Sequence, residues 1–175
     1  MGPSVRRAGE ADASAIASIH VRAWQAAYRG IVPDAYLDGL SIEDFAERHR
    51  GRIRVPQPGV EVWVADADGT VAGFAVLGPA RGPIGGEGEG EVYAIYVDPG
   101  RVRRGIGRVL LEHAARRFRD GGNRLATLWV LRDNDSGRAF YEGMGWRRDG
   151  ATQEFELPNF GGATLSEVRY VRALE

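Results

Sequence analysis

The sequence contains no cysteine, and all 23 of its basic residues are arginine, so it contains no lysine either. The first absence excludes disulfides, thiolate metal sites and cysteine nucleophiles. It also suits a reducing compartment, so a cytoplasmic protein is expected. The second excludes lysine Schiff-base chemistry and the lysine of a P-loop. A chain that handled an activated acyl group would have no lysine side chain of its own to acylate. No charge of one sign dominates: 23 basic against 24 acidic residues leave a net charge of −1, which argues against a dedicated nucleic-acid surface. No apolar run approaches the roughly 20 residues of a membrane span. Met1 to Arg7 has no apolar segment behind its charges, so no signal peptide is expected. His20, His49 and His113 are far apart and show no metal-ligand spacing; no metal is expected.

What is present is a chain of 175 residues, 43% apolar and 27% charged, the composition of a soluble globular protein. That length predicts one domain, residues 1–175, able to bury a core without staples. A short strand is expected at 4–8. Asp12 is placed to cap a helix running to about Arg29, with Ile16, Ile19, Ala23 and Ala26 or Ala27 on one face. Gly30 and Pro33 stop it. Ser41 with Asp44 resembles a capping box opening a second helix to about His49. After the connector "RVPQPG" the period changes. Residues 60–66 and 70–77 read as strands joined around Asp68-Gly69, a hairpin signal. The glycine-rich stretch 81–90 reads as a flexible loop bordering a binding cleft.

Residues 91–97, "EVYAIYV", form a nearly continuous apolar strand, as a central position requires. A helix over 105–119 buries Ile106, Val109, Leu110, Ala114 and Phe118, and 125–131 is another buried strand. "DSGRAFYEGMG" reads as a helix ended by Gly143 or Gly145. Trp146 starts a further strand, and "LSEVRYVRAL" is the last. The order β-α-α-β-β-β-α-β-α-β-β predicts a mixed α/β (α+β) fold, with a mixed central sheet of about six to seven strands flanked by about four helices. Strands 91–97 and 125–131 should be parallel, joined by a right-handed crossover.

The segment "VDPGRVRRGIGRVLL", residues 97–111, leaves a strand, crosses a turn and enters a helix. A helix start leaves backbone N–H groups unpaired at the positive end of its dipole, and phosphate oxygens satisfy both. Gly105 and Gly107 give access to the amides around Ile106, and Arg103, Arg104 and Arg108 add charge-assisted contacts. Gly100, after Asp98-Pro99, reads as a turn residue. The dinucleotide fingerprint fails because Leu110 stands at its third glycine, and Walker A fails for want of lysine.

These residues resemble the acyl-CoA binding motif of the GNAT superfamily of N-acetyltransferases, Q/R-x-x-G-x-G/A, with Val102 at the Q/R position. A second family motif is similar to "NDSGRAFYEGMGW", where Asn134, Phe140, Tyr141, Glu142, Gly145 and Trp146 match. The N-terminal "HVRAWQAAYRGIVPDAYLDGL" resembles a common subgroup. The resemblance implies transfer of an acetyl group from acetyl-CoA to an amine. In it, the backbone of Ile95, Tyr96 and Val97 binds the pantetheine arm, Tyr141 protonates the leaving thiolate, and Glu91 is the general base through water. Period two would put Glu91, Tyr93, Ile95 and Val97 on one face. Asn134 contacts the donor or caps its helix, and Trp24 and Tyr28 line the acceptor cleft. Each has a plain reading beside it: buried strand, core aromatic, solvated strand end, helix cap, aromatic pair. The amine acceptor is open between a small molecule and a protein N-terminus, and the protein between monomer and homodimer. Another acyl donor, a non-catalytic acyl-CoA sensor and a nucleotide-phosphate binder are the competing functions.

Overall fold

The computed structural model describes residues 2–82 and 84–175. A seven-stranded sheet runs in the order β1-β2-β3-β4-β5-β7-β6. Its strands are β1 (Ser4–Arg7), β2 (Glu61–Ala67), β3 (Thr70–Pro79), β4 (Glu89–Val97), β5 (Leu125–Leu131), β6 (Arg147–Glu156) and β7 (Thr164–Ala173). The helices are α1 (Ala13–Ala27), α2 (Asp34–Asp38), α3 (Ile42–Arg54), α4 (Ile106–Asp120) and α5 (Asp135–Gly143). β4 and β5 are parallel and every other neighbouring pair is antiparallel, so the mixed sheet is as expected. α4 covers one face, with Ile106, Leu110, Leu111, Ala114 and Phe118 packed on Ala75, Leu77, Val92 and Leu128. On the other, Ile16 and Ile19 of α1 pack on Val62, Val64, Phe74 and Val76.

Several expectations need correction. The helix α2, opened at Pro33, interrupts what reads in the sequence as one loop. α1 stops at Ala27 rather than Arg29, and Ala26 and Ala27 are exposed. Asp12 is not a side-chain cap for α1; its carboxylate accepts from Gly9 N at 2.8 Å and pairs with Arg6 at 2.8 Å. α3 continues past His49 to Arg54, so Arg54 belongs to the helix rather than the connector. Its cap is as read: Ser41 Oγ accepts from Asp44 N at 3.1 Å.

Two irregularities of β4 shape the site. A bulge lies opposite the Val76/Leu77 step of β3, where Ala94 pairs with Val76 and Val92 with Leu77. The inserted Tyr93 shifts the alternation. Tyr93, Ala94 and Tyr96 therefore pack on the α1 side, whereas Val92, Ile95 and Val97 pack on the α4 side. The single face expected for Glu91, Tyr93, Ile95 and Val97 does not exist. The second irregularity is a gap. β4 pairs with β5 only from Glu89↔Leu125 to Val92↔Leu128. Beyond that, β4 stays on β3 as far as Val97↔Gly73, and β5 stays on β7 as far as Leu131↔Glu167. The parallel strands part after Val92, and the β5-facing edge of residues 93–97 has no strand partner among the described residues.

Candidate active site

A cleft of about 1120 Å³ runs through that gap, above the range of about 300–1,000 Å³ usual for one drug-sized ligand. A smaller depression of about 420 Å³ between α4 and the ends of β6 and β7 holds, of the motif residues, Gly145 alone and none of the candidate catalytic or binding residues. The cleft is lined by Ile95, Tyr96 and Val97, by Arg103, Gly105, Ile106, Gly107 and Arg108, by Asn134 and Tyr141, and by Trp24 and Tyr28. Segments separated by more than 100 residues of chain are thus brought to one place. Glu91 and Arg104 do not line it.

The turn into α4 is an anion-binding shape. Arg103 has φ +62° and Gly105 φ +80°. A non-glycine residue held at positive φ costs on the order of 1 kcal/mol and marks a site the surroundings enforce. Alternating backbone signs of this kind turn successive amides into one concavity. The two glycines serve different ends. A Cβ at Gly105 would meet nothing within 4 Å, so the residue supplies conformation. A Cβ at Gly107 would lie 3.2 Å from Phe140 Cζ and 3.6 Å from Val97 Cγ2, so its bareness seats α5 against α4. Gly100 N donates to Asp98 Oδ1 at 2.9 Å, the turn read from sequence, and Arg101 bonds Ala67 O at 2.8 Å.

Asn134 caps α5, its Oδ1 accepting from Gly137 N at 3.0 Å. Glu142 anchors the same helix by accepting from the Tyr170 hydroxyl at 2.6 Å. Between them Tyr141 stands half-buried on the cleft; burial, then Tyr96 nearby, raises its phenol above the ordinary range. Trp24 and Tyr28 stack edge to face at 5.0 Å. Burial raises Tyr28 and Tyr96 also, so the tyrosines around the gap keep their protons. Trp24 Nε1 is buried with no hydrogen-bond partner among the described residues.

Glu91 is 2% exposed and fully engaged. Oε2 accepts from Arg81 N at 2.8 Å, and Oε1 accepts from Arg81 Nη2 at 2.6 Å. Arg81 also covers the Tyr93 ring at 3.7 Å and lines the cleft from the glycine-rich loop, of which Pro83 lies outside the described residues. Three further features at the cleft have no forerunner in the sequence reading. Glu167 lines it from β7, its carboxyl raised by burial against a hydrogen bond from Gln153 at 2.7 Å. His20 Nδ1 lies 3.1 Å from His49 Nε2, joining two of the scattered histidines. Arg48 and Arg52 line the cleft from α3. The strand register that aims Glu167 inward is a tertiary property, whereas Arg48 and Arg52, like charges four residues apart, were a readable signal. Among the described residues no group of side chains could hold a metal ion.

A mixed sheet parted at a parallel pair, with a glycine turn and a capped tyrosine helix on the gap, is the arrangement that the acetyltransferase resemblance of the sequence implies. The chain belongs to the acetyltransferase (GNAT) family, whose model matches residues 16–146. An uncharacterised N-acetyltransferase of Bacillus subtilis is 36% identical over 165 residues, spanning 94% of this chain and 90% of that protein. The fold resembles a PaiA N-acetyltransferase of Thermoplasma acidophilum solved with coenzyme A (TM-score 0.78, 21% identity, 99% of each chain). It also resembles an acetyltransferase of Salmonella typhimurium solved with acetyl-CoA (TM-score 0.67, 19% identity, 100% of this chain and 95% of that one).

Proposed function

We propose that the protein moves the acetyl group of acetyl-CoA directly to a primary amine, both substrates being bound in the cleft together. The observation that carries this is the parting of β4 from β5 after Val92. It exposes a row of backbone donors and acceptors inside a buried sheet, and buried backbone groups are almost always paired. An extended, amide-bearing arm can pair with them as an added strand does. The amides of the Gly105–Gly107 turn, with Arg103 and Arg108, hold the donor's phosphates at one end of the arm. The backbone of Ile95 to Val97 orients the thioester and supports charge on its oxygen.

An alkylammonium has a pKa near 10.4, so the acceptor must lose a proton before its nitrogen can attack. Glu91 takes that proton through water, once Arg81 releases its carboxylate. A second reading is favoured by position: Glu167 lines the cleft itself and its carboxyl is raised. As the carbon–sulfur bond breaks, Tyr141 gives its proton to the sulfur, for which a phenol that stays protonated at neutral pH is suited. The test is free-thiol release on an amine panel. Tyr141→Phe is expected to lower kcat by about 10²-fold or more, the usual weight of general acid catalysis, while acetyl-CoA still binds. Full turnover in that variant would remove Tyr141 from the chemistry, and binding without turnover on any amine would make the domain a sensor.

A further inference from the structure

Three arginines outside the phosphate turn line the cleft, Arg48 and Arg52 from α3 and Arg81 after β3, and Arg52 feels the charge of both others. Arg81 is fixed to Glu91, near the start of β4, and the turn at Gly105 follows the end of β4 at Val97. Six residues of strand separate those points, about 20 Å, so the phosphates of a donor held at the turn do not reach Arg81.

Arg48 and Arg52 are one helical turn apart on α3, where like charges repel and disfavour the helix. Elsewhere on the same helix each arginine has an acid: Arg50 pairs with Glu47, and Arg54 with Glu10 at 2.8 Å. Arg48 and Arg52 pair with no acid among the described residues; Arg48 lies over the Phe45 ring at 4.1 Å. Burial lowers His20 and His49, and the charge of Arg48 and Arg52 adds to it; at Tyr36, which burial raises, Arg48 acts in the opposite sense. Arg52 itself, open to the cleft but crowded by its walls and by Arg81 and Arg48, is lowered too. A protein of net charge −1 has gathered positive charge in the cleft where the acceptor must lie.

We propose that Arg48, Arg52 and Arg81 bind an oxyanion on the acceptor, so that the substrate is a small amine carrying a carboxylate or phosphate-type group. This rests on the acetyl-transfer reading above and names its acceptor class. Guanidinium forks match planar carboxylates and phosphate oxygens. The acceptor's anion also draws Arg81 away from Glu91, which frees that carboxylate to take the ammonium proton. Anion recognition and base release are then one event, and a neutral amine would gain neither.

The experiment compares an α-amino acid, its primary amide and the matching aminophosphonate as acceptors, by free-thiol release with saturating acetyl-CoA. The acid or the phosphonate is expected to exceed the amide by at least about tenfold in kcat/KM, and which of the two leads identifies the anion. Arg52→Gln should shrink that ratio towards one, through KM for the anionic acceptor. Arg52→Lys should keep part of it, and Arg116→Gln, on α4 outside the cleft, all of it. Equal rates for acid and amide in the unmodified protein overturn the proposal, as does a ratio unmoved by Arg52→Gln. If no amine is acetylated, the acetyl-transfer reading fails by itself. Thermal shift with inorganic phosphate and with the amino acid, each added over saturating coenzyme A so that the phosphate turn is already filled, then decides the anion site, which predicts a further stabilisation that Arg52→Gln abolishes; no further stabilisation in the unmodified protein overturns it.

Discussion

Glu91 and Glu167 differ in what surrounds each carboxylate. Both oxygens of Glu91 accept from Arg81, so the group is held until its partner moves. Glu167 accepts from Gln153, faces the cleft and feels Glu91 as a like charge. A general base works deprotonated, so kcat/KM rises with pH through its pKa. We expect Glu91→Gln to lower kcat/KM by about 10²-fold or more and to remove that acid limb, with Glu167→Gln retaining it. The opposite pattern, with the limb lying above the ordinary glutamate range, assigns the base to Glu167, since burial moves its carboxyl upward. Glu91 was legible because it heads an apolar strand beside a recognisable turn. Its engagement by Arg81 was not, because a loop of glycines gives no hint of which side chain folds back.

At the scale of elements, pattern and position diverge. β5 is found at the residues its apolar run marks, 125–131, and α4 within one residue of its expected ends. The Tyr93 bulge and the parting of β4 from β5 were invisible, because side-chain periodicity reports faces and says nothing about edges or registers. Yet these two irregularities build the cleft, and glycines allow the layers to close around it. A Cβ at Gly90 would fall 2.2 Å from Phe118 Cδ1, and one at Gly78 would fall 2.4 Å from the Tyr93 hydroxyl. Gly90 sits in the stretch where β4 still pairs with β5, directly under α4. Gly90→Ala must push α4 outward or force Phe118 off its rotamer, at a cost typical of overpacking, about 1–3 kcal/mol. Urea unfolding should show the loss in the midpoint, with Gly143→Ala, where a Cβ meets nothing within 4 Å, as the unperturbed comparison. An unchanged midpoint for Gly90→Ala would show that the layers are not packed as tightly as described.

For the whole molecule, the histidine pair ties α1 and α3 to the sheet, and it makes stability depend on pH. The His20 ring stacks on Tyr96 at 4.8 Å, and both His20 and His49 lie within about 5.5 Å of the Phe74 ring centroid. Burial, then His49 and the nearby arginines, lowers His20 to about 3. Burial and Arg52 with Arg48 lower His49 to about 4. An unfolded histidine titrates near 6.5, so between that value and about 4 the unfolded chain binds more protons than the native one. Stability is therefore fully present above about pH 6.5 and declines as pH falls through this window, by up to about 1.4 kcal/mol per unit for each group. The paired carboxylates Asp12 and Asp149, with lowered values, lose their contribution only as pH falls below the ordinary aspartate range. Glu167, raised, opposes the histidines as a single group against two. Urea unfolding at pH 7, 6 and 5 should thus give falling stability, and His49→Leu should lessen the slope. A flat profile would mean that one or both rings are already charged in the native state, which the burial of His49, its 3.1 Å approach to the part-buried His20 and the nearby arginines all oppose.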